Sequence, residues 1–170
     1  DWKASARSQK MLVRQYLEDR NRQIYLVVDI SASTDYGTGL ETKATVIKKI
    51  AAVLAFLSLY KKDSVGLILF SSDVEKVILP RASRAHVLSL LHELFTHKPR
   101  SRTTNFAPVF ECLAQLKNKR AIVCLISDFI DTFDLRMLSI IARIHDVIAF
   151  RCLDEREQNF PDVGTLIIED

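Results

Sequence analysis

Two groups of oxygen-bearing side chains follow apolar runs in this 170-residue chain. Asp29, Ser31 and Ser33 alternate after the first run, so an extended backbone would place a carboxylate and two hydroxyls on one side. Asp128 follows a second apolar run, 120–127. Oxygen donors without histidine or cysteine suit a hard cation such as Mg²⁺ or Mn²⁺. The sequence therefore predicts a divalent-metal site.

The elements that would hold these side chains alternate between apolar strands and longer helical patterns. Such alternation is typical of βαβ units and of a mostly parallel sheet. The first helix is indicated by apolar residues at 46, 50, 53, 54 and 57. Strands are predicted at 23–29, 64–70, 74–79, 120–127, 146–153 and 164–168, and helices at about 40–61, 83–95, 105–116 and 133–144.

The second and third predicted strands are joined by only three residues, 71–73, which is too short for a crossover helix. They should form an antiparallel pair, with 74–79 as an edge strand that Pro80 ends. Right-handed crossovers then favour a three-layer, doubly wound α/β fold with six strands, in which 120–127 lies beside the first strand. In such sheets, ligands bind at the carboxyl ends of the strands.

The stretch Asp29-Ile30-Ser31-Ala32-Ser33 resembles the D-x-S-x-S motif of the metal-ion-dependent adhesion site in von Willebrand factor A domains. Thr104 and Asp128 resemble the two later contributions to that site. Thr103 is the alternative to Thr104, and the family pattern, in which the threonine directly precedes Asn or Asp, favours Thr104. The resemblance implies metal ligands at Asp29, Ser31, Ser33, Thr104 and Asp128, with one coordination position left for a partner's carboxylate.

A broader similarity covers most of the chain. The stretches 2–7, 29–33, 65–70, 104–105 and 126–131 are similar to a bacterial group known as domain of unknown function, family fifty-eight. In that group the A-like domain follows a membrane-anchored part, and the genes often lie beside those of MoxR-type AAA+ ATPases. The resemblance implies no enzymatic activity, a MoxR-type ATPase as partner, and a cytoplasmic location as the soluble domain of a membrane-anchored protein. It also implies an extension, 1–22, packing on an A-like domain, 23–170.

The loop before Thr104 is basic, and Arg100 and Arg102 are predicted to steer an acidic partner toward the metal, although a merely solvated loop is the alternative. The net charge of +3 is too small to imply nucleic-acid binding. The longest apolar stretch, 51–60, is far short of the roughly 20 residues of a membrane-spanning helix.

The remaining chemistry-bearing residues favour structural roles. Three cysteines, Cys112, Cys124 and Cys152, are expected to be inert core thiols in a reducing compartment. Surface or helix-face positions are expected for all four histidines. Asp131 should cap the helix that starts near residue 133.

Two other functions compete with metal-dependent partner binding. One is a phosphatase-like hydrolase with Asp29 as nucleophile, although Ser31 stands where such enzymes carry an acid-base aspartate. The other is a structural domain whose site no longer holds metal, with the polar residues after the first strand serving as a helix-capping turn. Only four glycines are present, and no G-x-S-x-G, G-x-G-x-x-G or P-loop motif occurs, so other hydrolase and nucleotide-binding classes are disfavoured.

Overall fold

A five-stranded sheet forms the centre of the part of the chain that the computed structural model describes, residues 21–32, 42–116 and 120–154. Its order is β3-β2-β1-β4-β5, and only the β2–β3 pair is antiparallel. This confirms the mostly parallel sheet with one antiparallel edge strand. The sixth predicted strand, 164–168, and residues 1–20 of the predicted extension lie outside the described residues. The strands are β1 (Gln23–Asp29), β2 (Ser64–Phe70), β3 (Val74–Arg81), β4 (Ile122–Ser127) and β5 (Asp146–Arg151).

In the described ranges, four helices cover the two faces of the sheet, which confirms the three-layer architecture. They are α1 (Lys43–Tyr60), α2 (Arg84–Thr96), α3 (Ala107–Gln115) and α4 (Leu135–Ile144). Buried residues of α1 and α2 form one apolar core with one face of the sheet, and those of α3 and α4 form a second core with the other face. None of the helices in the described ranges is long and apolar enough to cross a membrane.

β1 lies at the centre of the sheet, between β2 and β4, and its place beside β4 was predicted. Val28 pairs with Leu69 of β2 and with Ile126 of β4. Because both pairings are parallel, the three strands end at the same edge of the sheet. That edge, where Asp29 ends β1, is the place where the strand order reverses and where ligands bind in such sheets.

β3 continues beyond the predicted end. The prediction that Pro80 ends the strand was wrong, since pairing extends to Arg81. The strand tolerates Pro80 because it lies at the sheet edge, where a missing N–H costs little. The ladder also shifts register beside Gly66, where an added Cβ would lie only 2.6 Å from the carbonyl oxygen of Ile78.

The apolar residues that indicated α1 are not its buried face. Val53 is 58% exposed, and Val46 and Leu57 are also exposed, whereas Ile50 and Leu54 are only partly buried. The small side chains on the other face allow the helix to approach the sheet closely, and this orientation places a lysine in the interior. The buried residues of α1 are Lys43, Ile47, Ala51, Ala55 and Ser58.

An aromatic cluster lies beneath the edge where β1, β2 and β4 end. Phe106 is at its centre, with ring centroids 5.4 Å from Phe70, 5.6 Å from Phe129 and 5.2 Å from Phe133. The rings of Phe106 and Phe129 are stacked, with an interplanar angle of 4°. Phe70 ends β2, Phe106 precedes α3 and Phe129 follows β4. The cluster therefore joins three chain segments that surround the same edge.

Replacing Phe106 with alanine should lower the free energy of unfolding by about 3–5 kcal/mol, because it leaves a cavity among the rings of Phe70, Phe110, Phe129 and Phe133. Chemical denaturation measures this change. Phe95→Ala is the control, since Phe95 is half exposed and its loss should cost less than about 1 kcal/mol. Equal losses for the two variants would contradict a central role for Phe106.

Candidate functional site

Asp29 ends β1 with its carboxylate fully enclosed, only 1% exposed. Oδ1 accepts a hydrogen bond of 2.9 Å from the backbone N–H of Ser31, and Oδ2 accepts one of 2.6 Å from the hydroxyl of Ser127. Burial raises the pKa of Asp29, while the hydrogen bonds from Ser127 and Ser31 oppose that rise and the charge of Asp128 adds to it. The carboxylate is thus held rigidly in a site that favours a compensating positive charge.

Thr104 meets Ser31 across the edge of the sheet. Its hydroxyl donates a hydrogen bond of 2.8 Å to the Ser31 hydroxyl, and the backbone N–H of Ala32 bonds to the Arg102 carbonyl at 3.2 Å. Thr103 is exposed, and its hydroxyl lies 3.1 Å from that of Ser101 instead. Of the two neighbouring threonines, Thr104 is therefore the one beside Ser31.

Asp128 follows β4 and is also buried. Its Oδ1 accepts a hydrogen bond of 3.3 Å from the Ile130 N–H, and its Oδ2 accepts one of 3.1 Å from Lys43 Nζ. The next residue, Phe129, has a φ of 53°, a left-handed conformation that is rare for a bulky side chain. This turn, with the Phe129 N–H bonded to the Ser127 hydroxyl at 3.1 Å, directs the Asp128 carboxylate toward the site.

Lys43 is the site residue that sequence reasoning missed. It is the first residue of α1, and its side chain is 4% exposed while that of Asp128 is 2% exposed. Lys43 lies four residues before Ile47 and eight before Ala51 on the buried face of the helix, which is not the face that the apolar pattern in the sequence indicated. A lysine on that face must reach an acidic partner, because an unpaired buried ammonium is very costly.

The structure brings Asp29, Ser31, Thr104 and Asp128 together, whereas Ser33 lies outside the described residues. Among the described residues, no three His, Cys, Asp or Glu side chains cluster to hold a metal ion. A metal here would therefore depend on hydroxyl oxygens as well as on the two carboxylates. Arg100 and Arg102 are exposed on the loop before Thr104.

Two predictions about other polar residues were wrong. Asp134, not Asp131, caps α4, accepting a hydrogen bond of 2.8 Å from the Arg136 N–H. His145 is buried rather than superficial, because its ring bridges the Ala121 N–H and the Leu113 carbonyl at 3.3 and 3.2 Å. Short polar runs offer several caps, so the sequence alone did not distinguish Asp131 from Asp134.

The three cysteines are free thiols. Cys124 and Cys152 are buried and Cys112 is partly buried. Burial raises the pKa of all three, that of Cys124 to about 11, which disfavours the reactive thiolate. This agrees with the expectation of inert core thiols.

The loop that carries Thr104 is fastened to the β2–β3 hairpin by Glu75. The side chain of Glu75 is 3% exposed and accepts hydrogen bonds from the Ser71 hydroxyl and from the Arg100 N–H, the latter at 3.0 and 3.1 Å. His97 Nε2 lies 2.9 Å from its Oε2. In addition, the Asn105 N–H bonds to the Ser71 carbonyl at 2.9 Å. The buried Glu75 carboxylate thus joins Ser71 of the hairpin to His97 and Arg100 of the basic loop.

Burial alone raises the pKa of Glu75, but the hydrogen bonds from Ser71, His97 and Arg100 outweigh it and hold the pKa below its ordinary value of 4.5. Because the folded-state pKa is lowered, the carboxylate stabilises the fold above pH 4.5, and this contribution is lost as the pH falls through the folded-state pKa.

Glu75→Gln should lower the free energy of unfolding at pH 7 by about 1–3 kcal/mol, since it removes a charge from several hydrogen bonds. The difference from the original protein should shrink below about pH 4.5. Chemical denaturation at several pH values tests both statements. Glu111→Gln, on the exposed side of α3, is the control and should change little. A Glu75→Gln effect that is independent of pH would contradict the role of the charge.

Comparisons with known proteins agree with the sequence resemblance. The family model described as "Protein of unknown function DUF58" matches residues 1–170. Uncharacterized proteins of Mycobacterium tuberculosis (Rv1480) and Mycobacterium bovis (Mb1516) are each 31% identical over 173 residues, covering 100% of this chain and 55% of the relative. The chain thus spans about half the length of these curated relatives.

Solved structures share the fold at low sequence identity. An aerotolerance-related membrane protein from Bacteroides fragilis has a TM-score of 0.61 at 18% identity, over 75% of this chain and 66% of that chain. BatB from Bacteroides thetaiotaomicron has a TM-score of 0.60 at 17% identity, over 75% and 65%. The SpRpn10 VWA domain has a TM-score of 0.53 at 15% identity, over 83% and 80%.

The family match over the whole chain and the fold shared with a VWA domain lead to one conclusion. This chain belongs to the DUF58 family of proteins of unknown function, and its described part has a von Willebrand factor A-like fold.

Proposed function

We propose that this domain is a non-enzymatic protein-interaction module that holds Mg²⁺ or Mn²⁺ and uses the metal to bind an acidic residue of a partner. Asp29, Ser31, Thr104 and Asp128 would hold the ion, together with Ser33. The main support is the meeting of Ser31 and Thr104, whose hydroxyl oxygens lie 2.8 Å apart although 73 residues separate them in sequence. The buried Asp29 carboxylate accepts a hydrogen bond from the Ser31 N–H, and the buried Asp128 is close enough to Asp29 to raise its pKa.

The donor set fits a small hard cation. Mg²⁺ requires nearly octahedral oxygen coordination at about 2.1 Å, so adjacent ligand oxygens are about 3.0 Å apart. The separation of the Ser31 and Thr104 hydroxyls is close to that edge length. Serine and threonine are neutral ligands, so a bound ion would keep most of its charge and would attract an anionic ligand from outside. Such an ion would supply the charge that recognises a carboxylate.

The surroundings of the site favour an acidic partner. Arg100 and Arg102 are exposed on the loop that ends at Thr104. The Arg102 carbonyl is bonded to Ala32, which keeps this basic loop beside the Asp29–Ser31 segment. Positive charge at the rim of a binding site accelerates the approach of an acidic surface and suppresses basic competitors.

The resemblance to the DUF58 group makes a MoxR-type AAA+ ATPase the proposed partner. The same resemblance supports a cytoplasmic domain of a membrane-anchored protein as the setting of this chain, which covers only 55% of its curated relatives. A large ATPase surface offers many acidic side chains, so the metal and the basic loop together would select one of them.

The geometry of Asp29 favours binding over hydrolysis. A nucleophilic carboxylate needs an oxygen free to attack a substrate, but both oxygens of Asp29 accept hydrogen bonds, of 2.9 and 2.6 Å, and the residue is enclosed. The Thr104 hydroxyl is directed at the Ser31 hydroxyl, so it is bonded to another neutral ligand oxygen. Turnover of a generic phosphate ester that Asp29→Asn abolishes would overturn this assignment.

Mg²⁺ should raise the melting temperature of the protein, because an ion that binds only the folded state stabilises it. Thr104→Val should remove most of this Mg²⁺-dependent rise, while Thr103→Val, at the neighbouring exposed position, should leave it unchanged. Thermal unfolding with EDTA and with Mg²⁺ measures the effect. Identical Mg²⁺ responses for the two variants would contradict a ligand role for Thr104.

Binding to a MoxR-type ATPase should require Mg²⁺ and should be abolished by EDTA. The double variant Ser31→Ala and Asp128→Ala should bind at least tenfold more weakly, since losing one good charged contact already costs about 1.4 kcal/mol or more. Surface plasmon resonance with immobilised domain provides the measurement, with Thr103→Val as the control. Unchanged affinity of the double variant would sink the proposal.

A further inference from the structure

The interior of the site already contains a cation, the Lys43 ammonium, and this has consequences for any metal that binds. Lys43 Nζ lies 3.1 Å from Asp128 Oδ2, and both side chains are almost completely enclosed. The other oxygen of Asp128 faces the Ile130 N–H. Lys43 therefore neutralises one of the two carboxylates that the metal would use.

The position of Lys43 is electrostatically unfavourable in two ways. It is the first residue of α1, where the positive end of the helix dipole opposes a cation. It is also buried, which costs an ammonium most of its hydration. The ion pair with Asp128 offsets both effects, so Lys43 and Asp128 depend on each other when no metal is present.

The charged side chains of the site do not sum to zero, either before or after a divalent metal binds. With both aspartates ionised, Asp29, Asp128 and Lys43 carry a net charge of −1. A divalent cation changes this net charge to +1, and one anionic ligand then restores neutrality. Without the lysine charge, the metal alone would neutralise the two aspartates. An enclosed site is most stable near neutrality, because isolated buried charge is strongly disfavoured.

We infer that Lys43 is an internal counter-ion that weakens metal binding and makes stable metal occupancy depend on the arrival of a carboxylate ligand. This inference rests on the proposed function and specifies how the same site is regulated. Metal and acidic ligand then bind cooperatively, and by linkage each raises the affinity of the other by the same factor. The domain would hold its metal firmly only in the presence of its partner.

Lys43→Met keeps the length and the apolar stem of the side chain and removes its charge. Even with water-like screening, removing a unit charge from within about 6 Å of a divalent ion should tighten Mg²⁺ binding about tenfold. Isothermal titration calorimetry with Mg²⁺ measures this change. In EDTA the same variant should melt at a lower temperature than the original protein, because Asp128 loses its partner. Adding Mg²⁺ should remove this difference in melting temperature, because the metal then provides positive charge beside Asp128.

Acetate serves as the simplest carboxylate ligand for the second half of the test. At equal ionic strength, replacing chloride by acetate should tighten Mg²⁺ binding to the original protein at least threefold, and this enhancement should shrink in Lys43→Met. Lys43→Gln repeats the test with a shorter neutral side chain, in case the methionine variant does not fold. Lys48→Met, on the same helix, is the matched control and should behave as the original protein.

The outcomes separate the inference from the proposed function. Mg²⁺ affinity that is unchanged or weaker in folded Lys43→Met and Lys43→Gln, while the original protein binds Mg²⁺, overturns the role of Lys43 and leaves the metal site intact. An acetate enhancement of equal size in all variants also overturns it. Absence of Mg²⁺ binding by the original protein and by both neutral variants overturns the proposed metal site itself.

Discussion

The parallel pairing of β1 with both β2 and β4 is the constraint on which the rest of this structure depends. Parallel strands carry their carboxyl ends to the same edge, so Asp29 and Ser127 come within hydrogen-bonding distance although 98 residues separate them. The chain must leave β1 through α1 on one face and reach β4 after α3 on the other. The meeting of these strand ends at one edge of the sheet is a direct result of this reversal.

Buried charge determines how this edge is built. Asp29 and Asp128 lie where water is excluded, and each carboxylate oxygen has a specific donor among the Ser31 and Ile130 backbone, the Ser127 hydroxyl and Lys43. Such groups are tolerated only when they are fully paired. The positions of the loops follow from this requirement as much as from apolar packing.

The loops of the site are supported by aromatic packing from beneath and by hydrogen bonds from one side. Beneath the site, Phe106 joins Phe70 and Phe129 through ring contacts, and its stacking on Phe129 helps to offset the roughly 1–3 kcal/mol cost of a left-handed backbone there. Beside the site, Glu75 and Ser71 hold the basic loop through hydrogen bonds. The arrangement allows a polar site to lie directly on an apolar core.

The sequence by itself determined the elements and the first part of the site. The bounds of β1 and β2, the antiparallel hairpin and the alternation of strands and helices follow from local patterns of apolar residues and turns. The D-x-S-x-S stretch is contiguous, so its carboxylate and hydroxyls were visible without any knowledge of the fold. A family resemblance on those residues pointed to the fold that the comparisons then showed.

Only the tertiary structure decided which distant residues meet. The family pattern favoured Thr104 over its neighbour Thr103, and the loop geometry places Thr104 against Ser31 and Thr103 against Ser101. The pairing of Lys43 with Asp128 spans 85 residues, and it gives the buried ammonium a carboxylate partner on a helix whose apolar side chains partly remain exposed. Local periodicity carries no information about such a partner, since its cause is charge neutralisation across the sheet edge.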